Sequence, residues 1–119
     1  MAVESVNSEP VLDIDGTLAR LGGDRDLFAE MVGILLEDAP KLVADLAQAV
    51  KSNNAVDVRM RAHALKGLLS GCGGVRAAHA AQQLENAGHT FDLRQAPELF
   101  SKLAIEFDAL TSALEQYRA

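Results

Sequence analysis

The sequence predicts an all-α protein, an antiparallel four-helix bundle with a short N-terminal lead-in segment. Three observations carry this. Apolar residues recur at the three-and-four spacing of a helix in four long stretches, and no stretch alternates with the period of a half-buried strand. Brief runs of Gly, Asn, Asp and Ser separate the stretches, so successive helices are joined by short loops and must reverse direction. Composition points the same way: 49% of the residues are hydrophobic but only 4% are aromatic, with no Trp. The core must be built from Leu, Val, Ile and Ala, a set that favours helix over strand. A chain of 119 residues makes one domain with a single packed core.

Residues 1–10 are polar and patternless and read as a flexible tail, leaving 11–119 as the helical domain. Val11-Leu12-Asp13-Ile14-Asp15-Gly16-Thr17 follows. This run resembles the first motif of haloacid-dehalogenase-type phosphatases, in which an aspartate after a buried strand is phosphorylated. That chemistry would need Asp13 as nucleophile, Asp15 as acid/base, a Mg²⁺ site on further strand ends and a parallel sheet. Only two apolar residues precede the motif, and the rest of the chain reads as helix. The favoured reading is a lead-in segment whose Ile14 and Leu18 cover one end of the bundle.

Gly22-Gly23 is a break, and Asp24 is placed to cap the helix that follows. Leu27, Phe28, Met31, Val32, Leu35 and Leu36 give that helix its apolar face. Pro40 predicts a kink or a fresh start across 37–40, with Asp38 as candidate cap. Leu42, Val43, Leu46, Ala47 and Val50 carry the face onward to a turn at Ser52-Asn53-Asn54, where Asn54 and Asp57 are spaced as a capping box. A central helix is expected over 55–72, closed by Gly71, Gly73 and Gly74. A further helix over 75–87 turns Ala78, Ala81 and Leu84 inward and is closed by Gly88 and His89. The last helix, over 93–117, carries Leu99, Phe100, Leu103, Phe107, Leu110, Leu114 and Tyr117, with Pro97 in its first turns.

The central helix carries the chemistry. Val58, Ala62, Leu65, Leu69 and Cys72 form its buried stripe, and His63 falls on the opposite side, toward water. Lys66 lies one turn on, and Gly67 almost directly above His63. A glycine inside a helix costs about 1 kcal/mol relative to alanine. Its place away from the stripe gives it no packing role, so it leaves bare backbone beside an exposed imidazole. The net charge is -6, yet no Asp or Glu occurs over 58–84, where Arg59, Arg61, Lys66 and Arg76 cluster. That basic island around a histidine suits an anion. The overall acidity argues against nucleic acid as partner. His79 and His89 lack ligand spacing to His63 or Cys72, so no metal site is expected. Cys72 is the one cysteine, which excludes an internal disulfide. No apolar run reaches membrane-spanning length and no signal peptide is visible, so a cytoplasmic protein without membrane contact is expected.

His63-x-Leu65-Lys66-Gly67, with Gly73 ten residues after the histidine, resembles the signature of the histidine-containing phosphotransfer (HPt) domain. The resemblance extends over roughly 18–114. It takes in Gly23-Asp24-Arg25-Asp26-Leu27, the run from Leu36 through Pro40 to Leu42, and Leu84-Glu85 with the Gly88 break. It implies a phosphorelay intermediate rather than an enzyme. His63 would accept a phosphoryl group from an aspartate of one response-regulator receiver domain and pass it to another, downstream of a (hybrid) histidine kinase. Lys66 would neutralise phosphoryl oxygens and Gly67 would leave room for them, while Mg²⁺ would belong to the receiver, this chain binding no cofactor. Arg59, Met60 and Ser70 are expected to meet the partner, and the chain to act as a monomer. The sequence departs from the family at Leu68 and Leu69, where small residues are frequent, and at Gly74, where alanine is frequent; altered packing is the expected consequence. The alternatives are a docking module of the same fold without phosphate flow and the Asp13 phosphatase. A kinase dimerisation domain is disfavoured because Ala64, not an acid, follows the histidine.

Overall fold

A computed structural model describes residues 9–118. These hold five α-helices and no strand: α1 Ile14–Arg20, α2 Arg25–Lys51, α3 Ala55–Gly71, α4 Val75–His89 and α5 Ala96–Leu114, the last running into a 3₁₀ turn Glu115–Tyr117. The lead-in segment is therefore itself a helix, which makes five where four were expected. The tail expected over 1–10 falls outside the described residues except for Glu9 and Pro10.

Asp13 explains the extra helix and removes the phosphatase reading. Its carboxylate accepts the Gly16 N–H at 3.0 Å and so caps α1, and its own N–H donates to the Gly73 carbonyl at 2.8 Å. The Thr17 hydroxyl donates back to the Asp13 carbonyl at 2.6 Å. The aspartate is thus engaged in starting a helix and pinning it to the α3–α4 turn. No parallel sheet exists among the described residues to present it as a nucleophile. Leu18 is buried and Ile14 half-buried, as a segment covering the bundle end requires.

Pro40 does not interrupt α2, which runs unbroken through 27 residues, with Asp38 inside it rather than capping a new start. A proline in mid-helix costs about 3 kcal/mol. Leu35, Ala39, Leu46 and Ala49 are buried on either side of it, and at about 1.5–3 kcal/mol per large apolar side chain their common stripe outweighs that cost. Pro40 itself faces solvent. Leu27, expected on the same stripe, is exposed instead.

The packing closes on itself: α3 lies against α2 and α4, α4 against α5, and α5 against α2. Tyr117 meets Phe28 of α2 edge-on, with ring centroids 5.7 Å apart. Val58, Ala62, Leu65, Leu69 and Cys72 turn into this core as the spacing predicts. Leu69 is fully buried and Leu68 partly so. The glycine at position 74 has a packing reason: a Cβ there would run into Leu110 Cδ2 and stand 3.1 Å from the Leu69 carbonyl oxygen.

Gly88 has a different role from the one expected. It lies within α4 rather than ending it, and it is buried against α3. A Cβ at this position would stand 2.6 Å from the Arg59 nitrogen and 2.7 Å from the Ala55 carbonyl oxygen. The helix ends after His89, where the Phe91 N–H donates to Gly88 O at 3.2 Å and the Asp92 N–H to Ala87 O at 3.1 Å. This is the Schellman pattern of bonds, with Phe91 at φ +57 in the position that glycine usually fills. The last helix begins at Ala96, a turn later than predicted, with Pro97 in its first turn.

Candidate functional site

The middle of α3 brings His63 to the surface with its side chain 67% exposed. Its ring is not isolated. Nδ1 lies 3.0 Å from Glu85 Oε2 on α4. An ionised carboxylate only accepts, so Nδ1 carries the proton and donates. The Nε2 lone pair then points away from this contact.

Lys66 reaches the same carboxylate, its Nζ 2.7 Å from Glu85 Oε1, and also donates to Gln82 Oε1 at 2.8 Å. One glutamate of α4 therefore ties together two neighbouring turns of α3. Its side chain is only 20% exposed. The Lys66 ammonium and then the His63 ring hold the Glu85 carboxyl below its ordinary range, against the partial burial that pushes it up. The carboxylate is in consequence charged wherever the protein works near neutrality.

Gly67 faces open space: a Cβ built on it would meet nothing within 4 Å. It borders a groove of about 640 Å³ that Lys66, Ser70, Arg20 and His79 also line. A second groove, of about 400 Å³, is lined by Arg59, Met60, His63 and Glu85. The six residues singled out on α3 thus divide, with Arg59, Met60 and His63 on one groove and Lys66, Gly67 and Ser70 on the other. Met60 is 60% exposed, and the Ser70 carbonyl accepts a long bond of 3.4 Å from Arg20.

The basic island proves linear in sequence but not in space. Arg61 turns to Asp57 at 3.0 Å and to Asp45 at 3.4 Å, and Arg76 to Glu106 at 2.7 Å. Lys66 stays at the histidine, and Arg59 lines its groove without an acid partner among the described residues. His79 is partly solvated and 4.0 Å from Glu9, and His89 is exposed at the end of α4. Among the described residues no three His, Cys, Asp or Glu side chains cluster as metal ligands would.

Residues 30–119 match the family model of the Hpt domain. The chain belongs to that family. Its fold is similar to the crystal structure of histidine-containing phosphotransfer protein B (HptB) from Pseudomonas aeruginosa PAO1, which is 28% identical over 92% of this chain and 95% of that one, with a TM-score of 0.82. No curated protein shows a significant sequence match. Hpt domains carry phosphoryl groups in phosphorelay signalling, working with receiver domains and histidine kinases, and this chain is a histidine phosphotransfer domain of that kind. No helix among the described residues is long and apolar enough to cross a membrane.

Sequence reasoning missed Glu85 and Gln82 as parts of the site. A signal for both was present. They stand three residues apart on the next helix, and Glu85 is the first acid after the basic window. What the sequence could not supply was the rotation of α4 that turns this pair toward α3.

Proposed function

We propose that His63 is the phosphoacceptor, taking a phosphoryl group from the aspartyl phosphate of one receiver domain and giving it to the aspartate of another. The observation that carries this is an exposed imidazole whose Nδ1–H is engaged by Glu85, so that Nε2 is the nucleophile. The Nε2 lone pair bonds to phosphorus as the acyl-phosphate O–P bond breaks, and the receiver regains its carboxylate. No proton has to move, because the ring keeps Nδ1–H throughout. The positive charge that develops on the ring lies against the Glu85 carboxylate. Lys66 neutralises the incoming phosphoryl oxygens, and the bare backbone at Gly67 lets the partner approach. Arg59, Met60 and Ser70 contribute to the surface the partner covers.

On this reading the chain is a phosphocarrier that borrows the receiver's acidic site and its Mg²⁺ and binds no cofactor itself. An upstream (hybrid) histidine kinase supplies the phosphoryl group. The domain acts as a monomer in the cytoplasm, and α2 to α5 serve as an antiparallel four-helix bundle with α1 laid over the α3–α4 turn. Supporting the bundle is the closed ring of contacts from α2 through α3, α4 and α5 back to α2.

His63→Gln tests the acceptor. Label transfer from a phosphorylated receiver is expected to vanish while the helical circular dichroism and the thermal midpoint stay as they are, since the ring buries little surface. Label retained on the variant would place the acceptor elsewhere.

A further inference from the structure

We propose that Phe91 is a docking anchor for the receiver domain, and that the partner's footprint runs from His63 along α3 to the α4–α5 turn; this rests on His63 being the phosphoacceptor. Val56, Met60 and His63 are spaced by four and three residues and share one outer line of α3. Met60 lines the groove at His63, and Val56 and Phe91 line the next groove, beyond the start of α3. Six large apolar side chains are exposed among the described residues, and three of them, Val56, Met60 and Phe91, lie on this path. Leu27 and Ile34 on α2 and Ile105 on α5 line neither groove.

Folding does not account for Phe91. The residue is 73% exposed, so it gains little from burial. Its backbone sits at φ +57, where glycine would close the helix with less strain. The neighbouring turn between α2 and α3 meets the same demand with Asn53 at φ 54, a residue type that tolerates it. An aromatic side chain held outward by a fixed left-handed turn is preorganised to fill a pocket on a partner.

Charge selects the partner. Arg94, in the same groove as Phe91, is neutralised by Asp92 at 2.8 Å, and Glu85, in the groove at His63, by Lys66 at 2.7 Å, which leaves Arg59 as the cation lining these grooves without an acid partner among the described residues. An apolar strip with one cation at its margin complements an apolar face bordered by carboxylates. A receiver brings such carboxylates with its phosphorylated aspartate. The strip is also continuous with the surface that must meet the receiver for His63 to react.

The test uses the full chain carrying His63→Gln, which can dock but not accept phosphate, and the receiver domain of the source organism that binds it most tightly. Adding Phe91→Gly is expected to raise Kd about tenfold, the loss of one anchor side chain, with the thermal midpoint held or raised because glycine suits the turn. Ile105→Ser, which removes another exposed apolar side chain, is expected to leave Kd within about twofold. An unchanged Kd in Phe91→Gly, or an equal loss in Ile105→Ser, overturns the anchor. Transfer is measured separately on chains with His63 intact. Failure of the acceptor reads instead as label retained on His63→Gln, with binding that still depends on Phe91. Failure of the anchor reads as transfer at an unchanged KM.

Discussion

Gly67 and Gly88 both sit inside helices, where each costs about 1 kcal/mol relative to alanine, and the two costs have opposite origins. Gly88 is buried where α4 crosses α3, and a methyl group there would stand within 3 Å of three backbone atoms of Ala55 and Arg59. Gly67 lies on the outer side of α3, where a methyl group would touch nothing within 4 Å. The first glycine lets two helices approach; the second leaves a surface clear beside His63. The difference separates what holds the domain together from what it presents to a partner. It also indicates that the close approach at Gly88 helps to bring α4 near enough for Glu85 to reach His63.

The sharpest way to break the comparison is to fill both positions. Gly88→Val places its added atoms against backbone that cannot rotate aside, so α4 must move off α3. A loss of about 3 kcal/mol is expected, a large part of the 5–15 kcal/mol that stabilises a domain of this kind. The measurement is the urea midpoint at unchanged m-value. A wild-type midpoint would mean that the helices do not need this contact. Gly67→Leu is expected to do the reverse. Transfer from a receiver slows about tenfold, equivalent to about 1.4 kcal/mol, while stability rises by about 0.8 kcal/mol because a good helix former replaces glycine in open space. Transfer at the wild-type rate would remove the access role given to Gly67.

The same pair marks how far the sequence could be read. The inward stripe of α3, the outward aim of His63 and the capping by Asp24 and Asn54 were all legible, because local periodicity and cap chemistry determine them. Gly67 was legible as well, since its distance from the stripe already denied it a packing role. Gly88 was misread as a helix end because a glycine near the close of an apolar pattern signals termination equally well. Only the position of α3 across from it distinguishes the two. The fresh start offered at Pro40, with Asp38 as its cap, failed for a related reason. The proline's local cost is plain in the sequence, but the burial of Leu35, Ala39 and Leu46 that offsets it belongs to the tertiary structure. Asp13 sat in a motif whose chemistry presumes a strand, and a two-residue apolar lead could not supply one. Glu85 escaped because its partners are 19 and 22 residues away on another helix, beyond the reach of any spacing rule for a single element.

The smallest expected effect concerns that glutamate and tests whether the clear surface and the packed one are joined through it. Lys66 and His63 hold the folded Glu85 carboxyl below the ordinary value of 4.5 that it regains on unfolding. A depressed folded value stabilises the protein wherever the carboxylate is charged in both states, and that contribution is lost as pH falls from 4.5 through the lower, folded value. Glu85→Gln removes the charge at every pH while keeping an oxygen that can accept from the ring. The variant is therefore expected to melt below the wild type at pH 7, with the two melting curves drawing together once the pH drops below about 4.5. Asp92, lowered to about 2 by Arg94, and Asp45, lowered by Lys41, titrate alike in both chains, so the difference isolates Glu85. A gap between the curves that stays constant from pH 7 to pH 3 would mean that the carboxylate charge does nothing for stability. Glu85 would then serve only to orient the ring.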